Sequence, residues 1–311
     1  MDWIYVGIGL ILLLIGGDTL VRGAVALAAK LGIPTLIVSL TVVAFGTSAP
    51  ELLIAVQSAL NGVPELALGN VIGSNTANVL LVLGVPALLF GLNCNDSGAK
   101  ANYLYLVAVT VFTMAIFYTQ PLFIWQGLLL LTVLALILFI SYRAAQSSRV
   151  MRAALEEEVG ETYIETWKMA AFLIFGLVFL PLGAKLLVDG AVNISTAFGV
   201  PEAVIGLTLV ALGTSLPELA TTVMAGLRRQ GDVAFGNVLG SNMFNLLAIV
   251  GVASFFGPIP VDAEFFQLDI WIMLASTLLM APFVMFRWRL HKVWGIFFVV
   301  CYVVYILVLL S

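Results

Sequence analysis

Two acidic residues in this chain occupy matching surroundings. Glu51 ends the heptapeptide FGTSAPE of residues 45–51, and Glu218 ends LGTSLPE of residues 212–218. Both lie inside long apolar stretches. Ala44, Thr47, Ser48 and Glu51, and likewise Ala211, Thr214, Ser215 and Glu218, sit at spacings of three and four, so each set lines one face of a helix. The proline just before each acid has no amide hydrogen, and its ring crowds the carbonyl four residues earlier. The carbonyls of Gly46 and Gly213 are therefore expected to lose their helical partners. An unpaired carbonyl in hydrocarbon costs several kcal/mol unless something satisfies it. A bound cation would.

Two further segments carry the same kind of chemistry. GNVIGSNTAN, residues 69–78, repeats Asn70, Ser74 and Asn78 every four positions, and GNVLGSNMFN, residues 236–245, does so with Asn237, Ser241 and Asn245. All of these offer oxygen acceptors, and no His or Cys stands nearby at ligand spacing. Ca²⁺ takes about six to eight oxygen ligands, whereas soft transition metals favour imidazole or thiolate. Two carboxylates with hydroxyl, amide and carbonyl oxygens around them suit Ca²⁺ or Na⁺. With no cation present, two carboxylates held close together repel, so protons should compete with the metal at low pH.

The elements that position these groups are membrane helices. Of 311 residues, 62% are hydrophobic and only 10% charged, with a mean hydropathy of +1.14, far outside soluble usage. Apolar segments long enough to cross a bilayer fall at 3–27, 34–59, 66–92, 102–118, 121–142, 168–196, 202–227, 233–256, 266–286 and 290–310. The fold class expected is an all-α polytopic membrane protein with ten transmembrane helices. Continuous runs such as GLLLLTVLALILFI exclude the alternating pattern of a β-barrel. The start, MDWIYVGIGL, has no basic region of the signal-peptide kind, so the first span is expected to stay in place. Cys94 and Cys301 lie far apart and suggest neither a disulfide framework nor a metal site. No feature calls for nucleic acid or for a cofactor.

The basic residues orient the chain. With the N-terminus outside, the inward connections hold Arg22, Lys30, Lys100, Arg143, Arg149, Arg152, Lys168, Arg228, Arg229, Arg287, Arg289 and Lys292, twelve of the thirteen Lys and Arg. Lys185 is the exception. This is the positive-inside pattern, and it places both termini outside a cell membrane crossed many times.

The sequence also repeats itself. At an offset of 167, about 30 of the 69 positions from Gly16 to Gly84 are identical to their partners. Each half holds five spans, an odd number, so the second half enters the membrane from the opposite side. The domains read as a first five-helix repeat, 1–142, a cytoplasmic linker, 143–167, and a second, inverted repeat, 168–311. Inverted repeats belong largely to secondary transporters, with sites at midplane between the halves. The linker's acidic run of Glu156, Glu157, Glu158, Glu161 and Glu165 reads as a solvated segment rather than a cation sensor. Asp18, Arg22, Lys185 and Asp189 lie near span ends and read as local ion pairs or interfacial anchors.

At the paired motifs the chain resembles the sodium/calcium exchanger family of the calcium/cation antiporter superfamily, and most of all its small prokaryotic members. The resemblance covers nearly the whole chain. It implies an antiporter that trades several Na⁺ for one Ca²⁺ by alternating access, through a midplane site that a single copy of the chain completes. The implied site comprises Glu51 and Glu218 with Thr47, Ser48, Ser74, Asn78, Thr214, Ser215, Ser241 and Asn245, and the carbonyls of Ala44 and Ala211. The spans 3–27 and 168–196 would slide against the rest. Some relatives, including potassium-dependent exchangers, carry Asp at the place of Asn245, so potassium cotransport is not expected here.

A proton-coupled exchanger of Ca²⁺ or another divalent cation is the nearest alternative, since two acids can also carry protons. An enzyme using them as an acid–base pair lacks a nucleophile, and His291, the one histidine, lies at a basic boundary. A purely structural role leaves two intramembrane acids unexplained.

Overall fold

The computed structural model describes residues 2–94, 98–147, 165–199 and 211–309. Among them there is no β-strand, only two isolated bridges, Leu92 with Leu290 and Leu122 with Ile259. Helix α1 is Asp2–Leu31, and α2 (Thr35–Thr47) meets α3 (Ala49–Leu60) at a bend of 45°. Then follow α4 (Glu65–Leu89), α5 (Ala99–Phe117), α6 (Ile124–Ser147) and α7 (Thr166–Ala197). The short α8 (Ala211–Thr214) precedes α9 (Leu216–Leu227), α10 (Gly231–Ala253), α11 (Asp269–Met285) and α12 (Lys292–Leu309).

Seven of these helices are each long and apolar enough to cross a membrane, or eight if α2 and α3 count as one bent span. The expected span at 202–227 is described only from residue 211. The one at 266–286 is a shorter apolar helix that breaks at Met280, two residues before Pro282. Most of the acidic linker lies outside the described residues, and α6 runs on past residue 142 as far as Ser147. Helices α1 and α7 are longer than expected, 30 and 32 residues, so they exceed a perpendicular crossing and suit a tilt.

The packing is inverted relative to a soluble protein. In their most apolar windows, α4 is 78% and α10 is 89% buried, against 33% for α1 and α6 and 22% for α7 and α12. The outer helices turn Trp3, Ile11, Phe139, Phe175 and Leu307 outward, as suits a hydrocarbon solvent. The inner ones bury the polar side chains. Helices α1 and α7 run antiparallel along their lengths: Asn193 donates to Asp2 at one end (3.0 Å) and Lys30 to Thr166 at the other (2.8 Å). Small residues allow the approach. Gly9 lies against Gly183 and Leu187, Gly16 against Leu180, and Gly176 against Leu20.

The connections gather into two groups. The loop before α5 exchanges backbone hydrogen bonds with the loop before α12, Leu92 with Leu290 at 2.8 and 2.9 Å. The loop before α6 does the same with the loop after α10, Leu122 with Ile259 at 2.8 and 2.9 Å. Every such contact joins connections that the distribution of Lys and Arg assigns to the same side.

Of the outlying charges, Asp18 pairs with Arg22 one turn on (3.7 Å) and with Arg228 at the end of α9. Lys185 and Asp189 form no ion pair among the described residues. No disulfide joins Cys94 and Cys301, and His291 is exposed.

Candidate cation site

Each acid stands in the first turn of a helix that follows a break. The backbone leaves helical geometry at Ser48 (φ −84°, ψ 8°) and at Ser215 (φ −85°, ψ 3°), with Pro50 and Pro217 within the first two positions of α3 and α9. A proline there sacrifices no hydrogen bond, because first-turn amides lack helical partners anyway. The proline therefore starts the second half-helix rather than merely damaging a continuous one. The break is not identical in the two halves: Ser48 N donates to the carbonyl of Ala44 (3.0 Å), whereas Ser215 N donates to that of Leu212 (3.1 Å).

The two breaks meet inside the protein. Glu51 and Glu218 are fully buried, and so are Thr47, Ser48, Ser74, Asn78, Ser215, Ser241, Asn245 and Ala44, with Thr214 nearly so. Ala211 opens α8. Ser48 Oγ donates across the repeats to Glu218 Oε1 at 2.9 Å, and Ser241 Oγ reaches the same oxygen at 3.5 Å. Thr214 stands beside Glu51, which is close enough to Glu218 for their charges to interact.

The threonines are held in a reciprocal pattern. Thr47 Oγ1 donates to Asn237 Oδ1 (3.3 Å), and Thr214 Oγ1 donates to Asn70 Oδ1 (3.4 Å). Asn237 in turn donates to Thr222 Oγ1 (3.2 Å) and to the carbonyl of Glu218 (3.4 Å). Nearby, Asn78 Nδ2 donates to Asn242 Oδ1 (3.0 Å), and Asn242 Nδ2 to the carbonyl of Asn75 (3.2 Å). Asn70 and Asn237 carry the four-residue periodicity of the sequence motif, but their work is to hold threonines. Asn75, Asn242 and Thr222 were not singled out from sequence. For the two asparagines the available signal was their place in the repeated GSN triplet.

Among the buried polar atoms without a hydrogen-bond partner, six acceptors belong to this site: both carboxylate oxygens of Glu51, Oε2 of Glu218, Oδ1 of Asn78, Oδ1 of Asn245 and Oγ of Ser215. Oγ of Ser39, Oδ1 of Asn75, Oγ1 of Thr113 and the amide nitrogens of Asn70 and Asn245 also lack one among the described residues. Buried polar groups are nearly always paired, so this concentration calls for a ligand. The ligand must accept oxygen lone pairs and offset negative charge, which describes a cation. Asn78 and Asn245 also fall in π-helical turns, Asn78–Val82 and Phe244–Ile249. Such turns widen a helix locally and re-aim side chains, often at functional sites.

The chain as a whole is similar to known proteins. The family model described as "Sodium/calcium exchanger protein" matches residues 1–143 and 168–311. The putative antiporter CaxA of Alkalimonas amylolytica is 37% identical over 88% of this chain and 87% of its own length. The sodium/calcium exchanger MaX1 of Methanosarcina acetivorans is 28% identical, covering 97% of this chain and 96% of its own. A solved structure of the sodium-calcium exchanger NCX_Mj, soaked with zero Na⁺ and Ca²⁺, superposes with a TM-score of 0.85 at 30% identity, covering 99% of this chain and 98% of that one. The chain is a member of the sodium/calcium exchanger family, whose proteins are membrane transporters rather than enzymes.

Proposed function

We propose that this protein exchanges Na⁺ for Ca²⁺ across a cell membrane by alternating access, with Glu51 and Glu218 at the centre of one shared cation site. The observation that carries this reading is the set of unpartnered buried oxygens on Glu51, Glu218, Asn78, Asn245 and Ser215. They are six, the lower end of the roughly six to eight that Ca²⁺ takes. Thr47, Ser48, Ser74, Thr214, Ser241 and the carbonyls of Ala44 and Ala211 complete the ligand set, and one copy of the chain suffices to form it.

Two carboxylates give the empty site about two negative charges. Moving that unpaired charge past apolar helices is costly, whereas a site neutralised by Ca²⁺ or by Na⁺ can move. That difference makes exchange, rather than leak, the favoured cycle. In this reading α1 and α7, held together by their glycine-lined contact, slide as a pair against the rest. The arrangement is ten spans in two inverted five-helix repeats, residues 1–142 and 168–311, joined by a cytoplasmic linker. The uninterrupted agreement between loop contacts and the Lys/Arg distribution supports it.

The test is uptake of radioactive Ca²⁺ into proteoliposomes loaded with Na⁺ or K⁺ and diluted into Na⁺-free medium, with Glu51→Gln and Glu218→Gln as controls. Uptake that needs internal Na⁺ and vanishes in both variants supports the proposal. Uptake driven equally by a pH gradient without Na⁺ moves the assignment to a proton-coupled exchanger. Protons should also compete at the same oxygens: as pH falls the carboxylates bind H⁺ and the Ca²⁺ concentration for half-maximal uptake rises. An affinity unchanged from pH 8 to pH 5.5 would remove the carboxylates from the site.

A further inference from the structure

A polar cavity of about 530 Å³, lined by neither of the paired acids, lies where the loop before α5, the end of α9, the start of α10 and the loop before α12 converge. Arg229 and Arg289 line it together with Asn93, Gln230 and Asp232. Neither arginine forms an ion pair among the described residues. The backbone here is unusual. The only non-glycine residues with left-handed φ among the described residues are Arg229 (59°) and Arg287 (55°), the second lying two residues before Arg289.

The internal repeat shows what Arg229 replaces. At the end of α3, Gly62 (φ 76°) closes the helix, with Gly62 N on Ala59 O and Val63 N on Ser58 O. At the end of α9 the same closure uses Arg229 N on Gly226 O and Gln230 N on Ala225 O. Glycine is the residue this position ordinarily takes, because a side chain disfavours the left-handed conformation. A basic residue was already in place one position earlier: Arg228 stands where the first copy has Asn61. Arg228 is committed to Asp18, whereas Arg229 faces the cavity. Positive charge for orientation alone would not require it at the strained position.

We propose that this cavity binds a phosphate-bearing anion. Among its described lining residues two arginines stand with one aspartate, and guanidinium groups match phosphate oxygens in paired hydrogen bonds. The exposed Leu227 and Phe90 on the rim, with Trp288 and Phe286 beside Arg289, mark the depth of lipid headgroups. Those neighbours favour an anionic phospholipid headgroup over a soluble phosphate. The inference is independent of which ions the exchanger carries.

The test uses the purified full-length protein, following its unfolding temperature by tryptophan fluorescence. The additions are dihexanoyl-phosphatidylglycerol, dihexanoyl-phosphatidylcholine, or inorganic phosphate at matched ionic strength. The double variant Arg229→Gly/Arg289→Gln restores the glycine of the first repeat and should fold normally. A saturable rise with phosphatidylglycerol alone, its midpoint weakened about tenfold or more in the variant, supports the site with lipid as its source. A saturable rise with inorganic phosphate that competes with the lipid supports the same site with a soluble source. Equal responses to both lipids, no saturable response to any addition, or an unchanged midpoint in the variant overturns it.

Discussion

Ser48 and Ser215 occupy equivalent places in the two repeats, yet the structure uses them differently. Ser48 donates to Glu218 at 2.9 Å, whereas Ser215 Oγ has no partner among the described residues. A hydrogen bond to a charged group contributes about 1.5–3 kcal/mol. Ser48→Ala should therefore lower the stability of the cation-free protein by roughly that amount, leaving a buried carboxylate oxygen less satisfied. Ser215→Ala should leave cation-free stability within about 0.5 kcal/mol and instead weaken Ca²⁺ affinity. Chemical unfolding in chelator, set beside Ca²⁺-dependent uptake, separates the two effects. Equal loss of cation-free stability in both variants would mean that Ser215 has a protein partner rather than a cation to bind. A further substitution concerns Asn245, buried with neither side-chain polar atom paired. Asn245→Asp adds a third carboxylate, so Ca²⁺ uptake should become more sensitive to acid. An unshifted pH profile would place Asn245 outside the site.

At the level of elements, the antiparallel pair α1–α7 depends on residues that have no side chain to spare. A Cβ at Gly176 would stand 2.6 Å from Leu20 Cβ and 2.9 Å from its backbone N, while one at Gly7 meets nothing within 4 Å. Overpacking of this kind costs about 1–3 kcal/mol. Gly176→Ala should therefore destabilise by that amount and Gly7→Ala hardly at all, measured by unfolding in detergent. If exchange requires the pair to slide, Gly176→Ala should also slow turnover without changing Ca²⁺ affinity. Much of this level was legible in the sequence. Glu51 and Glu218, the break before each, and the companion Asn and Ser positions follow from proline chemistry and helical spacing. The π-turns at Asn78–Val82 and Phe244–Ile249 were not, because no residue type marks them as proline marks a break. Nor was the reciprocal holding of Thr47 by Asn237 and Thr214 by Asn70, since only the folded pairing of the repeats decides which asparagine ligates and which positions.

At the scale of the whole molecule, the repeat and the charge distribution make one joint claim about sidedness. Lys30 meets Thr166, and the Leu92 loop meets the Leu290 loop. All four stretches belong to the side richer in Lys and Arg. Asp2 meets Asn193, and the Leu122 loop meets the Ile259 loop, where Lys and Arg are absent. Contacts within a folded chain and the electrostatics of insertion are separate physical effects, so their agreement constrains the topology more than either does alone. The consequence is tested by single cysteines placed on a Cys94→Ser/Cys301→Ser background and labelled in intact cells with a membrane-impermeant maleimide. Thr119→Cys and Phe198→Cys should react without permeabilisation, and Arg287→Cys and Gln230→Cys only after it. The reverse pattern would keep the alternation and invert the orientation. Labelling that separates Thr119 from Phe198 would break the alternation itself, and with it the proposed opposed entry of the two repeats.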